Sequence, residues 1–169
     1  MRGDLHTLKR VCSYASTVML AGCIVFIALA AITLILGGAS FVSDDVKDFL
    51  VPTIHASDTD LSIISRVLEL SVMFIAMAIT LRAIHSIMSE ILKDNGPFIE
   101  GNSEGFKLIS LTFLACSVPL AVLEYLSSED AVIAVAILLA CILISVVMYC
   151  LTIIFRYGFV LQDESDHTL

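Results

Sequence analysis

The chain has 169 residues, 59% of them hydrophobic and only 15% charged, with a formal net charge of −8 and a mean hydropathy of +0.99. A soluble domain of this length cannot hide so much apolar surface, since soluble chains run at about 45–50% apolar by a broader count. No length is left for a separate soluble domain, and no basic patch offers itself to nucleic acid.

Four long apolar runs dominate and read as membrane-spanning helices at about residues 11–36, 63–85, 107–126 and 131–155. The first carries no charge from Val11 to Leu36, which exceeds the roughly 20 residues that cross hydrocarbon. Arg2, Lys9 and Arg10 precede it, as in a signal peptide, and Gly38-Ala39-Ser40 resembles a weak cleavage site. A signal core is about 7–15 residues, so a retained span is expected. Ser13, Thr17 and Ala21 recur every fourth residue and predict a small-residue face for a neighbouring helix.

Gly37 and Gly38 should end that helix. The stretch from Phe41 to Asp60 holds five aspartates and Lys47, with Pro52 near its middle. It reads as an acidic exposed loop with a short amphipathic piece around Val46–Val51.

The second run continues to about Leu92 and is too long for one perpendicular span. Arg66 and Glu69, three apart near one end, can pair on one helix face. Arg82 at the other end can extend its head to the interface. Beyond it, Ile84, Ile87, Met88 and Ile91 form one stripe while Arg82, His85, Ser89 and Glu90 lie elsewhere. The helix should therefore leave the bilayer with an apolar face that needs cover. A helix extension and loop are expected over about 86–106, where Asn95-Gly96-Pro97 stops the helix and Asn102 or Ser103 is a candidate cap.

The third run contains Pro119, which removes one backbone bond and predicts a kink. Glu124, Glu129 and Asp130 follow and read as a short acidic turn. The fourth run lacks charge from Ala131 to Phe155, and Arg156 should end it before a polar tail over 156–169.

Lysine and arginine set the orientation. The N-terminus, the second connection and the tail hold seven of the nine basic residues, leaving Lys47 and Arg66 for the other two connections. Both termini are therefore expected in the cytoplasm. The fold class that follows is an all-α integral membrane protein, an antiparallel bundle of four transmembrane helices forming one domain.

Catalytic signatures are missing. The four histidines have no zinc spacing, and neither a phosphate loop nor a nucleophile elbow occurs. Of the histidines only His85 falls near membrane depth. The five cysteines all lie in or beside apolar runs with no Cys-x-x-Cys, as small packing residues do. No cofactor or metal is expected. Glu69 is the strongest candidate for an intramembrane ionic site, with Arg66, Arg82 and His85 as the other polar residues at membrane depth.

Two segments carry a resemblance. One is Gly96-Pro97-Phe98-x-x-x-Asn102, leading into a span. The other closes the chain, with Gly158, Leu161, Gln162, Glu164, Asp166, Thr168 and Leu169 in the pattern Gly-x-x-Leu-Gln-x-Glu-x-Asp-x-Thr-Leu. With four spans and this length, they resemble the bacterial membrane proteins called domain of unknown function 2975. That resemblance implies no established chemistry. Its members are often encoded beside a small helix-turn-helix DNA-binding protein, which implies a membrane component that holds or modulates a cytoplasmic regulator.

Pro97, Phe98, Asn102, Gly158, Leu161, Gln162, Asp163, Glu164 and Asp166 are the candidate partner contacts. The acidic tail would meet a basic partner surface, whereas Phe98 and Leu161 packed under the helix ends would explain the same residue types. The expectation is a non-enzymatic protein of the cell inner membrane, with the lipid bilayer, a cytoplasmic DNA-binding protein and further copies of itself as partners. An oligomeric small-solute or ion transporter, with its pathway between copies, is the alternative.

Overall fold

A computed structural model describes residues 2–57, 59–94 and 100–167, with side chains at 10–57, 59–93, 101–161 and 164. Among them are five helices and no strand: α1 (Arg2–Ala39), α2 (Asp44–Ile54), α3 (Asp60–Asp94), α4 (Glu100–Ser128) and α5 (Ala131–His167). All but α2 are long and apolar enough to cross a membrane, and the chain reads as a multi-pass membrane protein.

Each long helix packs antiparallel on the next. The α1–α3 contact runs from Ser16 beside His85 to Gly37 against Val67. The α3–α4 contact runs from Arg66 beside Glu124 to Ile87 against Gly105. On α4 and α5, Phe106 stacks near Phe155 with ring centroids 4.9 Å apart. Among the described residues α1 touches neither α4 nor α5, and α3 does not touch α5. The four spans thus form an open row, α1–α3–α4–α5, where the sequence led us to expect a bundle. In lipid an outward apolar face needs no partner helix, because the acyl chains are as apolar as the side chains.

The seams use small residues at heptad spacing. On α1 the buried positions include Ser16, Cys23, Ala30 and Gly37, seven apart, the repeat that keeps one seam on a partner as helices supercoil. Ser13, Thr17 and Ala21 instead face outward. The small-residue face expected there is corrected, since α3 lies against the other side of α1. On α4 the same spacing joins Ser103, Ser110, Ser117 and Glu124, all buried. Ser110 Oγ donates to the Ser145 carbonyl at 2.9 Å, tying α4 to α5.

The acidic connection is mostly helix. Asp44 and Asp45 open α2, where negative charge meets the positive end of the helix dipole. Pro52 sits inside it, and His55 ends it at φ 55° with its N–H bonded to the Val51 carbonyl. Leu50, 2% exposed, enters a core with Ile63 and Val67 of α3. With Val51 and Ile54 packed beside it and Lys47 Nζ donating to Asp60 Oδ1 at 2.9 Å, it holds α2 on the α1–α3 seam. Leu50→Ala is expected to cost about 2–5 kcal/mol, as large-to-small core changes do. Limited proteolysis would then cut α2 first, whereas uniform resistance across the chain would show that the anchor is dispensable.

Three further expectations change. Helix α4 already includes Asn102 and Ser103 in its first turns, so neither caps it from outside. It also continues to Ser128, so Glu124 belongs to the helix and not to the acidic turn. The 156–169 segment is helical to His167 because nothing from Arg156 onward breaks the period; the single glycine there, Gly158, costs only about 1 kcal/mol relative to alanine.

Candidate functional site: an ionic cluster between α3 and α4

The α2 end of the row contains a buried ionic cluster. Arg66 and Glu69 sit three apart on α3, so both side chains leave the same face. Arg66 Nη1 donates to Glu69 Oε2 at 2.8 Å and to Glu124 Oε2 of α4 at 2.7 Å. The side chains are 16%, 9% and 5% exposed for Arg66, Glu69 and Glu124. One guanidinium nitrogen therefore joins two carboxyl groups and stitches two helices together.

Hydroxyl groups extend the cluster to the helix ends. Ser127 Oγ reaches Glu69 Oε2 at 3.5 Å and donates to the Glu124 carbonyl at 2.9 Å. Ser62 Oγ donates to the Ser127 carbonyl at 2.7 Å, which satisfies one of the carbonyls a helix leaves open at its C-terminus. The Ser57 N–H donates to Ser62 Oγ at 3.0 Å. The connection from α2, the start of α3 and the end of α4 are thus tied by one chain of hydrogen bonds.

The turn after α4 fixes this end. Glu129 takes φ 57°, and its N–H bonds to the Tyr125 carbonyl at 2.9 Å. Asp130 then caps α5: its Oδ1 accepts from the N–H of Val132 at 2.9 Å and of Ile133 at 3.3 Å, the N2 and N3 donors of an N-cap.

A smaller polar contact lies at the opposite end. His85 Nδ1 stands 2.8 Å from Ser16 Oγ and 2.9 Å from the Ser16 carbonyl. Ser89 Oγ lies 3.4 Å from the same hydroxyl. His85 thus joins α3 to α1. Arg82, one turn away, is exposed and makes no ion pair among the described residues.

The residues named from sequence divide clearly. Arg66 and Glu69 come together, while Arg82 and His85 lie far along α3 from them. Glu124, read as part of an acidic turn, belongs to the cluster and is 4% exposed. Its position seven residues after Ser117 was the available signal. Asn102 is fully buried, Gly158 is half-buried and Leu161 is 49% exposed. Leu161 therefore does not pack under the helix ends. Glu164 is exposed. Pro97 and Phe98 lie outside the described residues, as do the side chains of Gln162, Asp163 and Asp166.

Among the described residues no three His, Cys, Asp or Glu side chains converge as metal ligands. As arranged, the cluster is a clamp, because every carboxyl group in it faces the arginine that joins α3 to α4. No family model, curated protein or solved structure matches the chain.

Proposed function

We propose that the chain is a non-enzymatic protein of the cytoplasmic membrane, with both termini in the cytoplasm, that holds a cytoplasmic regulator of the helix-turn-helix class. The observation that carries this reading is the length of α5. Its 37 residues run unbroken from Ala131 to His167. At 1.5 Å per residue they extend about 55 Å, against a hydrocarbon core of roughly 30 Å. The last turns therefore stand clear of the core as a stiff helix. They carry exposed Tyr157, Leu161 and Glu164, and the sequence adds Asp163 and Asp166. An ordered acidic helix loses less entropy on docking than a loose tail, and its charge complements a basic DNA-binding surface. The basic-residue asymmetry supports the orientation, and the likeness of 158–169 to the family named above supports the partner class.

The test is a pull-down of tagged protein from its native membrane in mild detergent, read by mass spectrometry. The expected result is a small DNA-binding protein recovered with wild type and lost when residues 158–169 are removed. Replacing Asp163, Glu164 and Asp166 together with alanine should lower recovery at least about tenfold while membrane insertion is unchanged. Full recovery with that triple variant would end the electrostatic version of the proposal.

The open row favours a second reading, an oligomeric solute or ion pathway between copies, because α1 and α5 each have a single neighbouring span. The orientation of Glu69 weighs against it, since that carboxyl group is turned inward onto Arg66. Solute flux into proteoliposomes that Glu69→Ala abolishes would reverse this preference.

A further inference from the structure

Because α1 and α4 do not touch, a valley runs along α3 between them. Its membrane-depth part is an apolar groove of about 700 Å³, lined by Leu20 and Ile27 of α1, Ile75 and Ile79 of α3, and Leu108 of α4. At one end the groove reaches Arg82. Arg82 and Leu108 also line a second cavity, of about 420 Å³, that continues past the end of the groove and adds Ser86, Gly101, Glu104 and Gly105. Both volumes fall in the range of small-molecule sites, about 300–1,000 Å³.

The two cavities differ in chemistry. The groove is almost wholly apolar apart from Arg82. The second cavity offers one cation, Arg82, one carboxylate, Glu104, and the hydroxyl of Ser86. Arg82 and Glu104 are exposed, and neither forms an ion pair among the described residues. On the α4 side the wall contains Gly101 and Gly105, which add no side chain to fill the space. Gly105 also lets α4 approach closely, since a Cβ there would fall 2.8 Å from Ile87 Cγ1.

We propose that this continuous cleft is a binding site for a phospholipid with a zwitterionic, amine-bearing headgroup. One acyl chain lies in the groove, the phosphate meets Arg82 and the ammonium meets Glu104. Charge complementarity selects this occupant. An apolar helix from another protein would leave both ions unanswered, and a purely anionic headgroup would face Glu104 with like charge. Inside a bilayer the acyl chain gains little by leaving other lipid, because all its surroundings are apolar. Selectivity therefore lies in the headgroup, where a guanidinium pairs with a phosphate through charge-assisted hydrogen bonds. The site does not depend on the partner proposed above, since it sits on α1, α3 and α4 and uses none of residues 158–169.

Native mass spectrometry of the full chain in detergent tests this, because it reads lipid adducts and copy number together. The probes are dioleoyl phosphatidylethanolamine, dioleoyl phosphatidylglycerol and soluble glycerophosphoethanolamine. The expected result is one retained phosphatidylethanolamine per chain, in preference to phosphatidylglycerol, with no retention of the soluble headgroup. Arg82→Gln should lower retention about tenfold, equivalent to about 1.4 kcal/mol. Glu104→Gln should remove the preference between the two lipids. Ile75→Trp, a substitution at a half-exposed groove residue, should displace both lipids.

Equal retention in wild type, Arg82→Gln and Glu104→Gln would overturn the site. So would binding of glycerophosphoethanolamine as tight as that of the lipid, which would make the groove irrelevant. Further copies of the chain in place of lipid adducts, lost in Ile75→Trp, would assign the cleft to self-association instead. All three substitutions lie at exposed positions, and the thermal midpoint of each variant without added lipid should match wild type within a few degrees.

Discussion

Replacing Arg66 with leucine is expected to destabilise the chain by about 3–5 kcal/mol, the cost of leaving a buried charge without its partner. The substitution removes the cation from between Glu69 and Glu124, whose side chains are 9% and 5% exposed. Both carboxyl groups would then face each other across the α3–α4 seam with little water to screen them. Glu69→Gln and Glu124→Gln should each cost less, because a neutral amide still accepts from Arg66 and one carboxylate remains to balance it. Replacing the whole trio with apolar residues of similar size should be close to neutral, since burying a charge cluster costs about what its pairing returns. Unfolding in mixed micelles, followed by helical circular dichroism, gives the order. An Arg66→Leu protein as stable as wild type would mean that the cluster is wetter than its geometry indicates.

The second large effect is expected at Gly37. An added Cβ would lie 2.5 Å from Val67 Cγ1 and 2.9 Å from Cγ2. Valine is stiff about χ1 and is held in the Leu50 core, so it cannot swing away. The helices α1 and α3 must then separate, a strain of about 1–3 kcal/mol, partly offset by the roughly 1 kcal/mol by which alanine exceeds glycine as a helix former. Gly38→Ala is the matched control. A Cβ there meets nothing within 4 Å, so only the propensity gain remains and the variant should be slightly more stable than wild type. Adding Val67→Ala to Gly37→Ala should recover part of the loss. The coupling energy of that double-mutant cycle, expected within about 0.5–3 kcal/mol, measures the contact directly. Additive losses would mean that the two residues do not meet.

The four spans were legible from length and hydropathy, because lipid imposes both on every helix that crosses it. Arg66 and Glu69 were legible as a pair because three residues on a helix fix their shared face. Glu124 was not, since its partner is 58 positions away in sequence and its neighbours Glu129 and Asp130 suggested a turn. Helix α2 was seen only as a short amphipathic piece, because Leu50 reveals its inward face only once α3 is beside it. The small-residue stripe Ser13, Thr17, Ala21 follows a four-residue period. The real seam on α1 follows seven, and a period of four drifts off one side of a helix whose contacts repeat every 3.5 residues. The row in place of a bundle could not be read from the chain at all, since outward apolar faces look alike whether lipid or helix covers them.

The row has a consequence for biogenesis. Each later span finds its neighbour already made: α3 meets α1, α4 meets α3 and α5 meets α4 in the order of translation. No contact between long helices waits for a segment more than one span away. The protein can therefore assemble from its N-terminus onward while still being synthesised, each new hairpin closing on the last. Once residue 128 has cleared the ribosome, three spans can already stand in their final relation, with the Arg66–Glu124 link that joins the second to the third.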